Sequence, residues 1–410
     1  MGSSKMVGAR SSLCREVEDP TAELLLCALR VFIGTEENAR LKALIHRGTD
    51  WSRLLEWADQ HEVVPHLHRA LSTGCADIVP EEVLQPLKAQ FDLNLRRNLR
   101  LSGELLNLLE RFSAQGIPAL PIKGPALAAL LSGNLALRQC VDLDIMVHKP
   151  NVLKAKELLV AQGYQPFYRL SHAQDAACLR YGIEYNFYRD DPGVLVEIHW
   201  RMDPQDDYLP LNMERLWEGC APVPFAGRTV PHPPAENLLQ ILLVHGSRHF
   251  WQQMKWLCDV GQLLQTHQEI DWDRVLEGAR TPRGRDIFYP GLWLAHDLLE
   301  APLPDAVWQV MQQDPEMRSL VLWMKRRLFS GPRPFGIWER PLMHLRTQRR
   351  LRDGIAHCLD LALTPTSEDV ACMSLPEMLF PLYYMLRPIR LALKHTGMFS
   401  RPMFGEKQPG

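Results

Sequence analysis

Three carboxylates and one histidine fall on two short apolar segments of this sequence, Asp142-Leu143-Asp144 and Glu197-Ile198-His199. Side chains alternate faces along a strand. Asp142 and Asp144 therefore share one face, with Val141, Leu143 and Ile145 on the other. By the same count Glu197 and His199 project together, opposite Val196, Ile198 and Trp200. Ionised carboxylates gathered on one sheet surface repel each other unless a cation sits among them. Mg²⁺ prefers hard oxygen ligands and keeps some waters while bridging a substrate phosphate. Such ions stabilise both the attacking and the leaving oxygen of an in-line displacement. The expected metal ligands are thus Asp142, Asp144 and Glu197, holding Mg²⁺ or Mn²⁺. His199 is expected beside them as a catalytic group that orients a carboxylate, binds phosphate or acts as a base. A lone Asp-x-Asp also marks many solvated strand edges. The conjunction with a second acid-bearing strand and a glycine turn is what points to chemistry.

That turn is Lys123-Gly124, where a strand meets a helix. Backbone N–H groups at a helix start bind phosphate, and a glycine lets the phosphate approach closely. Lys123 and Arg138 add positive charge, so Lys123, Gly124 and Arg138 are expected to bind the substrate's phosphates, with Arg138, four residues before Asp142, able to reach either a phosphate or the acids themselves. His245 and His249, spaced to share one helix face, are expected to contact nucleotide or acceptor. Gly246 follows His245, so the pair lacks the glutamate of a zinc-protease helix. Lys255, Trp256 and Asp259 either line the same cleft or form packing contacts and salt bridges.

Elements that position these residues can be read from periodicity. Apolar residues recur at three- and four-residue steps from about Pro20 to Arg100, with Thr49 and Asp50 ahead of Trp51 as caps. LRLSGELLNLLERFSAQG continues as helix and stops at Gly116. IPALPIKG reads as a strand, PALAALLSG as a helix with Pro125 in its first turn, VDLDIMV as a strand and KAKELLVAQG as a helix. IEYNFYR and VLVEIHW are strands joined through Asp190-Asp191-Pro192-Gly193, a hairpin signal. From Pro234 onward helix returns, including the long stripe ENLLQILLVHGSRHFWQQMKWLCDVGQLLQ. The expected fold class is α+β: a small mixed sheet embedded between N-terminal and C-terminal helical regions. The expected divisions are a disordered leader over 1–19, helices over 20–100, the α/β core over 101–231, helices completing the cleft over 232–300, and a C-terminal helical region over 301–410.

Composition narrows the class. A net charge of -2 argues against a general nucleic-acid coat. A local basic stretch from Lys325 to Arg352 could bind an anion or be a solvated face. Nine cysteines, an odd number without a CxxC pair, fit neither a disulfide framework nor a zinc site. Free thiols in a reducing cytosol are expected. No apolar run is long enough to span a bilayer, the N-terminus lacks a signal core, and Met6 breaks the myristoylation pattern. EMLFPLYYMLRPIRLALKH could lie on a membrane surface, but Pro381 and Pro388 favour packing on the core. A cytoplasmic protein is expected.

The run LPIKGPALAALL…LRQCVDLDIMV, followed by VLVEIHWRM, resembles the bacterial uncharacterised nucleotidyltransferase family of the polymerase-β-like superfamily. WSRLLEWADQHEVVPHLHRAL and HPPAENLLQILLVHGSRHFWQQMKWLCDVGQLL extend the likeness to about Trp51–Leu299. The resemblance implies metal binding by Asp142 and Asp144, a third carboxylate in Glu197, and a nucleotide-phosphate turn at Lys123 and Gly124. The turn departs from the superfamily's common Gly-Ser or Gly-Gly, and the gap from it to Asp142 is longer than usual. The implied activity is transfer of a nucleoside monophosphate from a nucleoside triphosphate, expected to be ATP, to an unidentified acceptor. A small molecule or a peptide or protein is favoured over nucleic acid. Rival readings are transfer of a sugar or phosphate from a nucleotide donor, and a non-catalytic nucleotide- or peptide-binding protein.

Overall fold

The computed structural model describes residues 19–191, 193–203, 213–330, 359 and 362–395. The expected leader, apart from residue 19, and the basic stretch beyond residue 330 lie outside these residues. Five helices come first: α1 (Pro20–Ile33), α2 (Asn38–His46), α3 (Trp51–Gln60), α4 (Val64–Gly74) and α5 (Glu81–Ala114). Asp19 caps α1 and Asp50 caps α3, their carboxylates accepting from backbone N–H groups of the first turn. Helix α5 is continuous over 34 residues, across the expected division at 100. Gly116 follows it with φ +64°, the left-handed conformation that glycine adopts without strain.

The sheet comes next, interleaved with three helices. Its strands are β1 (Ala119–Pro121), β2 (Asp142–Val147), β3 (Gln165–Pro166), β4 (Glu184–Arg189) and β5 (Val194–His199). Helices α6 (Gly124–Ser132), α7 (Val152–Ala161) and α8 (His172–Tyr181) connect them. The order across the sheet is β1-β2-β5-β4-β3, with β2 and β5 parallel and the other pairs antiparallel. A separate hairpin, β6 (Ala221–Phe225) and β7 (Arg228–His232), follows. Among the described residues the remaining helices are α9 (Ala235–Arg248), α10 (Met254–Thr266), α11 (Trp272–Glu277), α12 (Pro282–Leu299), α13 (Asp305–Gln312), α14 (Pro315–Leu328), α15 (Ser367–Cys372) and α16 (Leu382–His395). This is the α+β architecture expected, a small mixed sheet flanked by helical regions. Among the described residues no helix is long and apolar enough to cross a membrane.

Two hydrophobic cores sit on opposite sides of the sheet. One takes Leu143, Ile145, Val147, Val196 and Ile198 from the back of β2 and β5 and packs them on Leu101, Leu105, Leu108 and Phe112 of α5. Each such side chain contributes about 1.5–3 kcal/mol when fully buried. The other core belongs to α1, α4, α9, α10 and α12, and the sheet gives it Leu120 and Met146. Met146 lies on the same face of β2 as Asp142 and Asp144. The acid-bearing face is therefore the one that looks onto the helical body.

Several expectations change. Val141, expected on the apolar face, is 45% exposed and precedes the strand. Strand β3, helix α8 and the β6–β7 hairpin were not anticipated. The stripe from Glu236 to Gln265 breaks into α9 and α10 at a turn where Phe250 and Trp251 adopt φ +54° and +53°. Its cause is packing: Trp251 is fully buried, with its indole in the space left by the missing side chains of Gly246 and Gly291. Seven cysteines fall among the described residues, and the five buried ones, Cys27, Cys75, Cys140, Cys178 and Cys258, are free thiols.

Candidate active site

The parallel pairing of β2 with β5 sets Asp144 directly opposite Glu197, and Met146 opposite His199. On the other side of β5, Glu184 of β4 stands opposite His199. Paired residues in a sheet share a face, so Asp144, Glu197, His199 and Glu184 converge. One ligand atom from each of Asp144, Glu197 and His199 lies within 4.8 Å of the others, a grouping that could hold a metal ion. His199 Nε2 is 3.1 Å from Asp144 Oδ1 and 3.3 Å from Glu197 Oε2, and its Nδ1 is 3.3 Å from Glu184 Oε2. Asp142 occupies the same face one pleat earlier and is half-buried.

Lys123 meets this group from the turn before α6. Its ammonium lies 2.6 Å from Asp144 Oδ1 and donates to His245 Nδ1 at 3.1 Å. Gly124, which follows, has φ +65°, and a Cβ there would stand 3.1 Å from the carbonyl oxygen of Asp142. Only glycine fits this combination of backbone conformation and close approach without strain. The Lys-Gly turn thus packs directly on the start of β2. Ile122 N–H completes the join by donating to the Asp144 carbonyl at 3.1 Å.

Electrostatics here are crowded. Burial and the neighbouring Asp144 and Glu197 push the Asp142 carboxyl up to about 7, against the pull of Lys123. Burial would also raise Asp144, but the Lys123 ammonium and the His199 hydrogen bond outweigh it and hold the carboxyl well below the usual range. Burial disfavours the His199 imidazolium, yet the hydrogen bonds to Asp144 and Glu197 prevail and bring it up to about 9. At neutral pH His199 is therefore a cation whose ring N–H groups face carboxylates. His245 goes the other way: burial first, then the Lys123 charge, hold it well below its ordinary value. Neutral His245 can accept from Lys123.

The donor set suits a divalent cation. It offers the Asp144 and Glu197 carboxylates within reach of one ion, with Asp142 alongside, and the protonated His199 ring spans the two as a hydrogen-bond donor; burial and the neighbouring acids already push the Asp142 carboxyl up. Asp144 Oδ1 is at the same time the anchor for Lys123 and His199.

Arg138 sits apart from this cluster. Its side chain is buried, with Nε and Nη2 at 2.9 to 3.2 Å from the Asp259 carboxylate oxygens, and Nη1 beside Cys140 Sγ. Asn94 and Asn98 of α5 fix the loop behind it by donating to the carbonyls of Leu135, Ala136 and Arg138. Asp259, for which a cleft and a salt bridge were both open, makes the salt bridge. His249 lies just past the end of α9, is exposed, and keeps its ring 4.7 Å from that of His245. Lys255 pairs with Glu62, and Trp256 is buried beneath His249. Glu184 is the residue of the cluster that sequence reasoning missed. The hairpin register across Asp190–Gly193 pairs it with His199, so counting back along both strands was the available signal.

No curated protein matches this chain. A crystal structure of an antigenic nucleotidyltransferase-like protein from Paracoccidioides brasiliensis aligns at 17% identity and a TM-score of 0.30, over 51% of this chain and 96% of its own. The family model described as uncharacterised nucleotidyltransferase matches residues 47–300, close to the Trp51–Leu299 span over which the sequence motifs run. With more than half of its length covered, from α3 through the sheet to the end of α12, this chain belongs to the uncharacterised nucleotidyltransferase family.

Proposed function

We propose that this protein transfers a nucleoside monophosphate from a nucleoside triphosphate, with ATP as the expected donor, to the hydroxyl of a small-molecule or peptide or protein acceptor, and that it requires Mg²⁺ or Mn²⁺. The observation that carries this reading is the convergence of Asp144, Glu197 and His199 within coordination reach, beside Asp142 and a Lys-Gly turn. A bound divalent cation would polarise the α-phosphate and offset charge on the leaving pyrophosphate. Asp142, Asp144 and Glu197 would hold it, with the His199 Nε2–H shared between the Asp144 and Glu197 carboxylates and orienting both. In the reaction the acceptor oxygen bonds to the α-phosphorus and the bond to the β-phosphate's bridging oxygen breaks, its electron pair leaving with pyrophosphate. Glu197, whose side chain is partly exposed, would take the acceptor's proton.

Lys123, the first backbone N–H groups of α6 and the Gly124 turn would receive the triphosphate. Its ammonium already balances one carboxylate, and a phosphate offers it a second anion at the same turn. His245 holds Lys123 in place by accepting its third direction of hydrogen bonding, and His249 extends the same wall. Arg138 contributes by position: its bond to Asp259 fixes α10 against the segment that leads into β2.

Position of the label decides the chemistry. Incubation with ATP labelled at the α-phosphate, Mg²⁺ or Mn²⁺ and fractionated extract should move label into an acceptor and release pyrophosphate, and a chelator should stop both. Label arriving from the γ-phosphate or from a nucleotide sugar would replace this reading with another group transfer. Product formation that survives in both Asp142→Asn and Asp144→Asn would leave the reading without its site.

A further inference from the structure

The wall beyond His245 carries more construction than phosphate binding needs. His249 is exposed, and its ring lies nearly parallel to the Trp256 indole, with centroids 4.9 Å apart and 29° between planes. The His245 ring is tilted against His249, with centroids 4.7 Å apart, and stands nearly perpendicular to Trp256 at 5.7 Å. Contacts therefore run unbroken from Asp144 through Lys123 and His245 to the His249–Trp256 stack.

The backbone that presents this stack is strained. Five non-glycine residues among the described ones have positive φ, and three of them, Glu62, Phe250 and Trp251, gather at this joint. Glu62 binds Gln253 Nε2 at 2.6 Å and pairs with Lys255, while Lys255 N–H donates to the His61 carbonyl. The turn between α3 and α4 thus holds the start of α10 at Gln253 and Lys255, immediately before Trp256. Bulky residues enter the left-handed region at a cost and stay there only where surrounding structure over-determines them. What the strain secures is that Trp251 goes inward and the His249 ring stays outward on Trp256.

An outward aromatic face held at the phosphate end of a nucleotide site is the chemistry that recognises a nucleobase, because every base has a π-face and stacking tolerates sequence. We propose that the His249 imidazole, backed by Trp256, is the platform on which the base of the bound nucleotide stacks. This rests on the nucleotide reading above and adds to it the part of the ligand that His249 meets. Histidine on an indole makes a firm flat surface, while Lys123 and the Gly124 turn take the phosphates without regard to the base.

Binding of ATP and of inorganic tripolyphosphate, each with Mn²⁺, separates the two halves of the ligand. Calorimetry on the full chain should show ATP binding more tightly than tripolyphosphate. His249→Ala should weaken ATP by about 10-fold and leave tripolyphosphate unchanged, and His249→Phe should restore most of the loss. Because His249 is exposed, the variants are expected to fold, and circular dichroism checks that. If His249→Ala leaves ATP binding intact, or weakens both ligands equally, the platform is wrong although the nucleotide reading stands. If the unaltered protein binds tripolyphosphate but gains nothing from the base, the platform is likewise overturned. Failure to bind either ligand overturns the nucleotide reading, and the platform with it.

Discussion

Two buried cation–carboxylate pairs flank the start of β2 and are built to opposite plans. Arg138 and Asp259 balance one charge with one charge, in a bidentate geometry that fills the guanidinium's fork. Around Lys123 and Asp144 the balance fails. Asp142, Asp144, Glu197 and Glu184 gather about the Lys123 ammonium and the His199 imidazolium, with Arg248 reaching only Glu184 at 3.9 Å; burial first, then the neighbouring Asp144 and Glu197, drive the Asp142 carboxyl up to about 7. A pair that serves the fold neutralises itself, because any unpaired buried charge costs several kcal/mol. Surplus charge of one sign persists where a ligand of the other sign is to be bound. The difference between the two pairs, more than the presence of acids, is what makes the second the candidate site.

Substitutions should break that contrast in different currencies. The largest effect is expected from Asp144→Asn, which removes the carboxylate shared by Lys123, His199 and the proposed metal. Transfer from ATP should fall by about 10²–10³-fold or more, read as pyrophosphate release from folded protein. Asp259→Asn should act on stability, leaving Arg138 buried with half its partner, at a cost of about 3–5 kcal/mol in denaturant unfolding. The double change Arg138→Met with Asp259→Leu should recover much of that loss, since an apolar pair of similar volume replaces buried ions at little cost. No such rescue is expected for any apolar replacement of Lys123 and Asp144 when activity is measured.

Acid should single out the Arg138 side. His66 is buried, and burial together with the Arg138 charge lowers it to about 3. The unfolded chain takes up this proton at about pH 6.5 and the folded chain only near 3, so stability is full above 6.5 and falls as the pH drops between the two values. The expected slope from His66 is about 1.4 kcal/mol per pH unit, and His66→Leu should remove it. His61, lowered to about 4 by burial, adds a second slope over a narrower range. The smallest effect is expected from Asp142→Asn without metal, where one negative charge leaves a crowded face and the Tm should rise slightly. A fall in Tm would mean that Asp142 is better paired than the crowding argues.

Much of the site was legible because strand alternation is a strict period of two. Asp142 with Asp144, and Glu197 with His199, could be assigned to common faces from DLDIMV and VLVEIH alone, and Asp190–Gly193 announced the hairpin. Glycine at 124 was legible as a turn between strand and helix, but its positive φ and its close approach to the Asp142 carbonyl came only with the fold. Helix α9 was visible as a stripe, but its end was not. Periodicity continues through HFWQQM, and only the burial of Trp251 against Gly246 and Gly291 decides that the chain turns there.

What the amino-acid order determined, then, is local: which residues share a face, where turns fall, and which segments carry apolar backs able to build two cores. Three things were settled only by tertiary structure. Parallel pairing set Asp144 against Glu197 across an intervening crossover, Arg138 found Asp259 at a separation of 121 residues, and Lys123 came to rest on Asp144 rather than in an open turn. The reason is that charge pairing at such separations depends on which burial sites the packed cores leave close together, and that is a property of the whole chain's packing rather than of any window along it.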